Sequence, residues 1–120
     1  SNEDTGFLME KKIISAIPIN YLRGASLNDQ IVIADESQNF SKKELITLIT
    51  RIGKNTKMII CGDSMQSDIN GRSGFNAIKN LFKDEESADK GIHSFDFDYN
   101  DIKRSEILKY IIKKLENEKK

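Results

Sequence analysis

Four apolar residues, Ile31-Val32-Ile33-Ala34, run without a break into two adjacent carboxylates, Asp35 and Glu36. A run that is apolar at every position, not every second one, fits a strand buried on both faces, as in a parallel sheet covered by helices. Acids at the carboxyl end of such a strand lie along the edge where α/β proteins bind ligands. An acidic strand end can also be ordinary turn chemistry, so its meaning depends on what the rest of the chain brings to that edge.

The other residues set firm bounds. At 120 residues the chain is one domain or part of one. Lys plus Arg and Asp plus Glu number 19 each, so no global charge draws it to nucleic acid or membrane, and any nucleic-acid site must be a local patch. The single cysteine, Cys61, permits no internal disulfide and no cysteine-based metal site. No apolar run approaches the roughly 20 residues of a membrane span, and the polar start Ser1-Asn2-Glu3-Asp4 has no signal-peptide pattern. These features predict a soluble, cytoplasmic α/β unit.

Residues 1–11 show little pattern and are expected to be a poorly ordered start, followed by one domain over 12–120. Residues 12–17 can form a short strand that Pro18 ends. Tyr21-Leu22-Arg23-Gly24 reads as a turn closed by glycine. The next helix has clear signals. Ser41 is an N-cap, Glu44 completes a capping box, and Phe40 can staple onto Leu45. Leu45, Leu48, Ile49 and Ile52 share one face, with Gly53 as the expected left-handed stop. Residues 57–61 make a second buried strand ending in Gly62-Asp63, so strand, helix and strand form a parallel βαβ unit. A polar loop over 62–74 leads to a short helix with Phe75, Ile78, Leu81 and Phe82 inward. Residues 84–89 read as an acidic, solvated connection. From 92 to 99 the residues alternate, with His93, Phe95, Phe97 and Tyr99 on one side, which predicts a strand wet on its other face. Asn100 or Asp101 is expected to cap a last helix that buries Leu108, Ile111, Ile112 and Leu115.

Two strand ends therefore converge on one edge: Asp35-Glu36-Ser37-Gln38 and Gly62-Asp63-Ser64-Met65-Gln66. A glycine, an acid and then a glutamine three residues later suit the sensing of a terminal phosphate. The glycine lets the backbone approach, and the amide can hold both a phosphate oxygen and a water.

Asp-Glu-x-Gln followed by Gly-Asp-x-x-Gln resembles motifs II and III of superfamily 1 helicases. More of the chain is similar to the PhoH-like ATPases: Pro18-Ile19-Asn20-Tyr21-Leu22-Arg23-Gly24, Ile33-Ala34-Asp35-Glu36-Ser37-Gln38-Asn39, Leu48-Ile49-Thr50-Arg51-Ile52-Gly53, Gly62-Asp63-Ser64-Met65-Gln66-Ser67-Asp68, Ser73-Gly74 and Asp101-Ile102-Lys103-Arg104. The resemblance covers roughly residues 15–115. Ser37 stands where the family usually has alanine, and Ser105 where histidine is common. It implies a three-layer α/β/α fold with a mostly parallel sheet, a partial P-loop nucleotidase core of the helicase type. It also implies ATP and Mg²⁺ as cofactors and RNA or single-stranded DNA as a partner. Asp35 would bind Mg²⁺ through water in a Walker B role, and Glu36 would be the general base. Gln66 would sense the γ-phosphate, supported by Asp63 and the adjoining Gly62. Arg104 would contact phosphate or pair with Asp63. Arg51 would satisfy helix-end carbonyls or serve a neighbouring subunit or nucleic acid, and Arg23 would be a phosphate contact or a solvated charge.

One departure bears directly on chemistry. No Gly-x-x-x-x-Gly-Lys-Ser/Thr occurs in the chain, so the amide cradle and lysine for the β- and γ-phosphates are missing. In the family that loop lies upstream. The chain is therefore expected to be the C-terminal half of an ATPase, inactive alone, with a non-catalytic binding module as the alternative. In the related nucleotidase cores the strand leading into that loop lies between those at 57–61 and 92–98, so its absence would leave both backbone edges open. Either 92–98 then pairs with 57–61, or two chains associate as a homo-oligomer.

Overall fold

The computed structural model describes residues 2–11, 13–66, 74–101, 103 and 105–118. It divides into two compact units, Ser1–Leu81 and Phe82–Lys120.

In the first unit, the strands β1 (Ile31–Ala34) and β2 (Lys57–Ile60) pair in parallel, with Ile31 opposite Lys57 and Ala34 opposite Ile60. The α/β class with a parallel sheet is thus observed. Between the strands lies helix α2 (Lys42–Ile49). Its start follows the sequence closely: the Ser41 hydroxyl accepts from the Glu44 N–H at 3.1 Å, and the Glu44 carboxylate accepts from the Ser41 N–H at 3.0 Å. Two of the donors orphaned at the helix start are thereby satisfied.

Leu45 and Leu48 are buried on the core face of α2. The core joins Leu22, from a 3₁₀ turn at Ile19–Leu22, with Leu27, Ala34 and Leu48, and Ile19, Val32, Phe40, Met58 and Ile60 pack against it. Inward residues of the strands thus alternate with outward ones. Ile31 and Ile33 are 70% and 66% exposed, and Ile59 is exposed beside them. The sequence expectation of burial on both faces is corrected here. The described residues cover one face of the pair, and the apolar character of the other finds no second layer within the unit.

Gly53 also plays a different part from the one expected. Helix α2 ends at Thr50, whose N–H bonds to the Ile46 carbonyl, and the left-handed residue is Asn55, with φ 52°. At Gly53 the chain runs against residues 27–28, where a Cβ would stand 2.7 Å from the Leu27 carbonyl oxygen. The Gly53 N–H donates to that same oxygen at 2.8 Å. Close backbone approach, not helix termination, requires the glycine. Ile52 accordingly leaves the helical face and is exposed.

Residues Asn2–Glu10 form a helix, α1. The expected strand is not found: residues 13–17 form none, Ile13, Ile14 and Ile17 are exposed, and among the described residues no strand pairs with them. Later in the unit, helix α3 (Phe75–Leu81) buries Phe75 and Ile78 but leaves Leu81 exposed.

The second unit holds α4 (Glu85–Asp89), a 3₁₀ turn at Tyr99–Asp101, and α5 (Glu106–Glu118). The acidic connection is thus a short helix, capped by the Asp84 carboxylate accepting from the Ser87 N–H at 3.3 Å. Residues 92–98 form no strand, and Phe95 and Phe97 stand more than four-fifths exposed. His93, expected on a packed aromatic face, is exposed as well. Alternation shows which face a strand would bury, but the backbone still needs a partner, and none pairs with these residues. Among the described residues β2 has β1 as its sole partner. In α5, Ile111 and Leu115 are exposed while Leu108 and Ile112 are half-buried. Its cap is Ser105, whose hydroxyl accepts from the Leu108 N–H, in place of Asn100 or Asp101.

Candidate functional site

The β1–β2 register brings the two acid-bearing segments together. Beyond the last pair, Ala34 and Ile60, the Cys61 N–H donates to the Ala34 carbonyl and the Ser37 N–H to the Cys61 carbonyl, both at 2.8 Å. The ladder is thus carried past the strand ends, so Asp35-Glu36 and Gly62-Asp63 lie side by side at the carboxyl edge. The chain then turns sharply. Glu36 adopts left-handed φ 53° and ψ 38°, a conformation costing a non-glycine residue roughly 1–2 kcal/mol. The Glu36 N–H donates to the Asp35 carboxylate at 2.8 Å, and a 3₁₀ turn follows at Ser37–Asn39.

Ser37 is fully buried, and its hydroxyl donates to the Ala34 carbonyl at 3.0 Å. A residue of alanine size fits this position, and the extra hydroxyl has its partner. Gln38 is 1% exposed, and its amide orientation is set by its neighbours. The oxygen accepts from the Asp63 N–H at 2.9 Å, while the nitrogen donates to the Glu36 carboxylate and lies 3.5 Å from the Gln66 amide oxygen. Gln66 in turn donates to the Asp63 carboxylate at 3.0 Å, and the other Asp63 oxygen accepts from the Met65 N–H. Glu36 and Gln66, thirty residues apart in sequence, thus meet on one buried side chain.

Gly62 has a structural reason to be glycine. A Cβ there would stand 2.9–3.1 Å from the ring of Phe75, so its small size admits α3. On the same flank, the Asn76 amide donates to the Ser64 carbonyl and Lys79 to the Ser64 hydroxyl.

The arginines fall elsewhere or outside. Arg51 follows α2, where its carbonyl accepts from the Leu27 N–H. That is the amino end of the strands, opposite the acid cluster. Its guanidinium donates to Thr50 at 3.4 Å, and its Nε is buried without a partner. Arg23 is exposed in the turn after the first 3₁₀ segment. Arg104, Ser67, Asp68 and Ser73 lie outside the described residues. The residue whose part at the site was not foreseen is Gln38. The Asp-Glu-x-Gln spacing was visible, but burial of that glutamine depends on a contact across 25 residues.

Among the described residues no group of three or more His, Cys, Asp or Glu side chains could hold a metal by itself. The donor set matches instead what Mg²⁺ uses with a nucleotide, one or two carboxylates completed by water and phosphate oxygens.

A parallel α/β pair with acid and amide side chains gathered at its carboxyl edge is consistent with a core of the P-loop nucleotidase type. The chain belongs to the PhoH-like protein family, whose model matches residues 1–116. It is 36% identical over 112 residues to a PhoH-like protein of Bacillus subtilis (strain 168), covering 92% of this chain and 34% of that protein. A PhoH-like protein of Mycobacterium bovis (strain ATCC BAA-935 / AF2122/97) is 31% identical over 88% of this chain and 29% of its own length. Protein PhoH2 of Bacillus subtilis (strain 168) is 44% identical over 42% of this chain and 11% of its own. The chain thus spans about a third of the length of the first two relatives. No helix among the described residues is long and apolar enough to cross a membrane.

Proposed function

We propose that this chain supplies the metal- and water-handling half of the site of a PhoH-like ATPase that works on RNA or other nucleic acid in the cytoplasm. The carrying observation is the β1–β2 register, which sets Asp35-Glu36 beside Gly62-Asp63 at the ligand-binding edge. Mg²⁺, when bound with ATP, supplies charge neutralisation at the β- and γ-phosphates. Asp35 would hold that ion through water. Glu36 would take the proton of the attacking water as it adds to the γ-phosphorus and the bond to ADP breaks. Gln66, steadied by Asp63, would hold a γ-phosphate oxygen and that water in line. Arg104 is assigned to phosphate. Arg51, at the opposite edge, is a candidate for a neighbouring subunit or nucleic acid, and Arg23 for a nucleic-acid phosphate.

The phosphate cradle and its lysine must come from outside these 120 residues, so the chain alone should not turn over ATP. In a protein that joins it to a Walker A segment, Glu36→Gln should abolish hydrolysis while leaving ATP binding within about threefold, since a general base contributes typically 10²–10⁴-fold to rate and phosphate affinity resides in the cradle. Near-normal turnover in that variant removes Glu36 from the role. Gln66→Ala should also lower turnover more than binding. The rival reading, a non-catalytic module that binds a partner, draws on the missing cradle and the exposed Ile31, Ile33 and Ile59. Turnover in the joined protein that survives both variants favours it.

A further inference from the structure

We propose that Gln38 is the positioning residue that holds the base Glu36 and couples it to Gln66, resting on the reading of Glu36 and Gln66 given above. A primary amide offers two donor hydrogens and one carbonyl oxygen. In Gln38 the donors face the Glu36 carboxylate and the Gln66 amide oxygen, and the carbonyl accepts from the Asp63 N–H. The side chain is 1% exposed, so water does not substitute for these partners. Two features show what the amide does. Glu36 stands in a left-handed conformation that its own backbone disfavours, and its carboxylate is held by the Gln38 amide. The contacts are also unequal. The Asp63 N–H lies 2.9 Å from the amide oxygen and the Glu36 carboxylate closer still to the nitrogen, at 2.5 Å, whereas Gln66 sits 3.5 Å away, beyond the ordinary range of a hydrogen bond.

Gln38 therefore grips the base firmly and touches the sensor lightly. When Gln66 turns to a phosphate, it leaves that contact without disturbing the anchor on Asp63. The freed hydrogen then serves Glu36 or the water beside it. The base is thereby oriented differently with and without a phosphate on Gln66.

Two substitutions separate the halves of this amide. Gln38→Glu keeps the volume and the acceptor for the Asp63 N–H but replaces the two amide donors with at most one carboxyl O–H. Gln38→Met removes the acceptor too. The first readout uses the 120-residue chain and needs no activity: hydrogen exchange by NMR. The Asp63 N–H should be protected in the wild type and in Gln38→Glu, and lose protection at least about tenfold in Gln38→Met, with the Cys61 N–H on the Ala34 carbonyl unchanged. An unprotected Asp63 N–H in the wild type, or loss of Cys61 protection along with it in both variants, overturns the proposal, the latter by making Gln38 a general core residue. The second readout is turnover in the protein joined to a Walker A segment. Gln38→Glu should lower kcat about 10–100-fold with Mg-ATP affinity nearly unchanged, and should add nothing to Glu36→Gln, because residues acting as a unit are not additive. Additive losses, or an equal loss of affinity, overturn it. If the wild-type joined protein shows no turnover, the ATPase reading fails, and the exchange pattern still decides whether Gln38 anchors the two strand ends.

Discussion

Replacing Gly62 with alanine sets two opposing effects against each other. The glycine does not have positive φ, so alanine fits its backbone and should stabilise by about 0.4–1 kcal/mol through a less flexible unfolded chain. Against this, the new methyl would meet three atoms of the Phe75 ring at 2.9, 3.0 and 3.1 Å. Carbon atoms pack best at roughly 3.5–4.0 Å, so the ring must move by several tenths of an ångström. Phe75 is buried on α3, beside Ile78, and has little room to give. Overpacking of this kind typically costs about 1–3 kcal/mol. The overpacking outweighs the gain, with a net loss centred on roughly 1 kcal/mol, the two ranges together spanning about 0–2.6 kcal/mol. Urea denaturation of the 120-residue chain measures it, and Phe75→Leu supplies the control. The smaller side chain costs stability alone but should recover most of the loss when combined with Gly62→Ala, giving a coupling of about 0.5 kcal/mol or more. An alanine variant as stable as the wild type, or strictly additive losses, would refute the assignment of Gly62 to packing.

Three other outcomes are expected. Ser41→Ala should cost about 1 kcal/mol in the same denaturation assay, because it deletes the hydroxyl of a complete capping box, whereas Ser41→Gly should lose only a few tenths; equal losses would argue against the cap. Asp84 accepts from the Ser87 hydroxyl and backbone N–H, which holds its carboxyl below the ordinary value. A lowered folded value stabilises above the unfolded carboxylate range and is lost as pH falls through the folded value, so stability from this cap should decline only in acid. Carboxyl NMR titration should show the Asp84 midpoint rising in Ser87→Ala, and an unmoved midpoint would dismiss the hydroxyl as the cause. Among the described residues β2 pairs with β1 alone, and an open strand edge predicts association of chains through it. Sedimentation of the 120-residue chain should show a concentration-dependent homo-oligomer, and a monomer across the accessible range would reject it.

Local chemistry was sufficient where a feature closes within a few residues. The start of α2 is such a case, since Ser41, Glu44 and Phe40 carry its whole signal within one turn. The strands at 31–34 and 57–60 are another, and their βαβ order left a parallel pairing as the natural outcome. The convergence of Asp35-Glu36 with Gly62-Asp63 followed from that topology, so the candidate site was legible as a place.

What the tertiary structure decided were matters of partnership. Residues 92–98 alternate as a strand should, yet form none, because a ladder requires a second backbone and none is paired there. Ile31 and Ile33 read as doubly buried, but burial depends on a covering layer that the described residues place on one side only. Gly53 read as a left-handed helix stop and Gly62 as a point where the backbone meets a phosphate, and both prove to be points of close approach within the chain, to Leu27 and Phe75, that no local pattern could reveal. Gln38 is the same lesson at the site itself. Spacing set it two residues after Glu36, but only the fold brings the Asp63 N–H and Gln66 to its amide, because those partners lie 25 and 28 residues further along the chain.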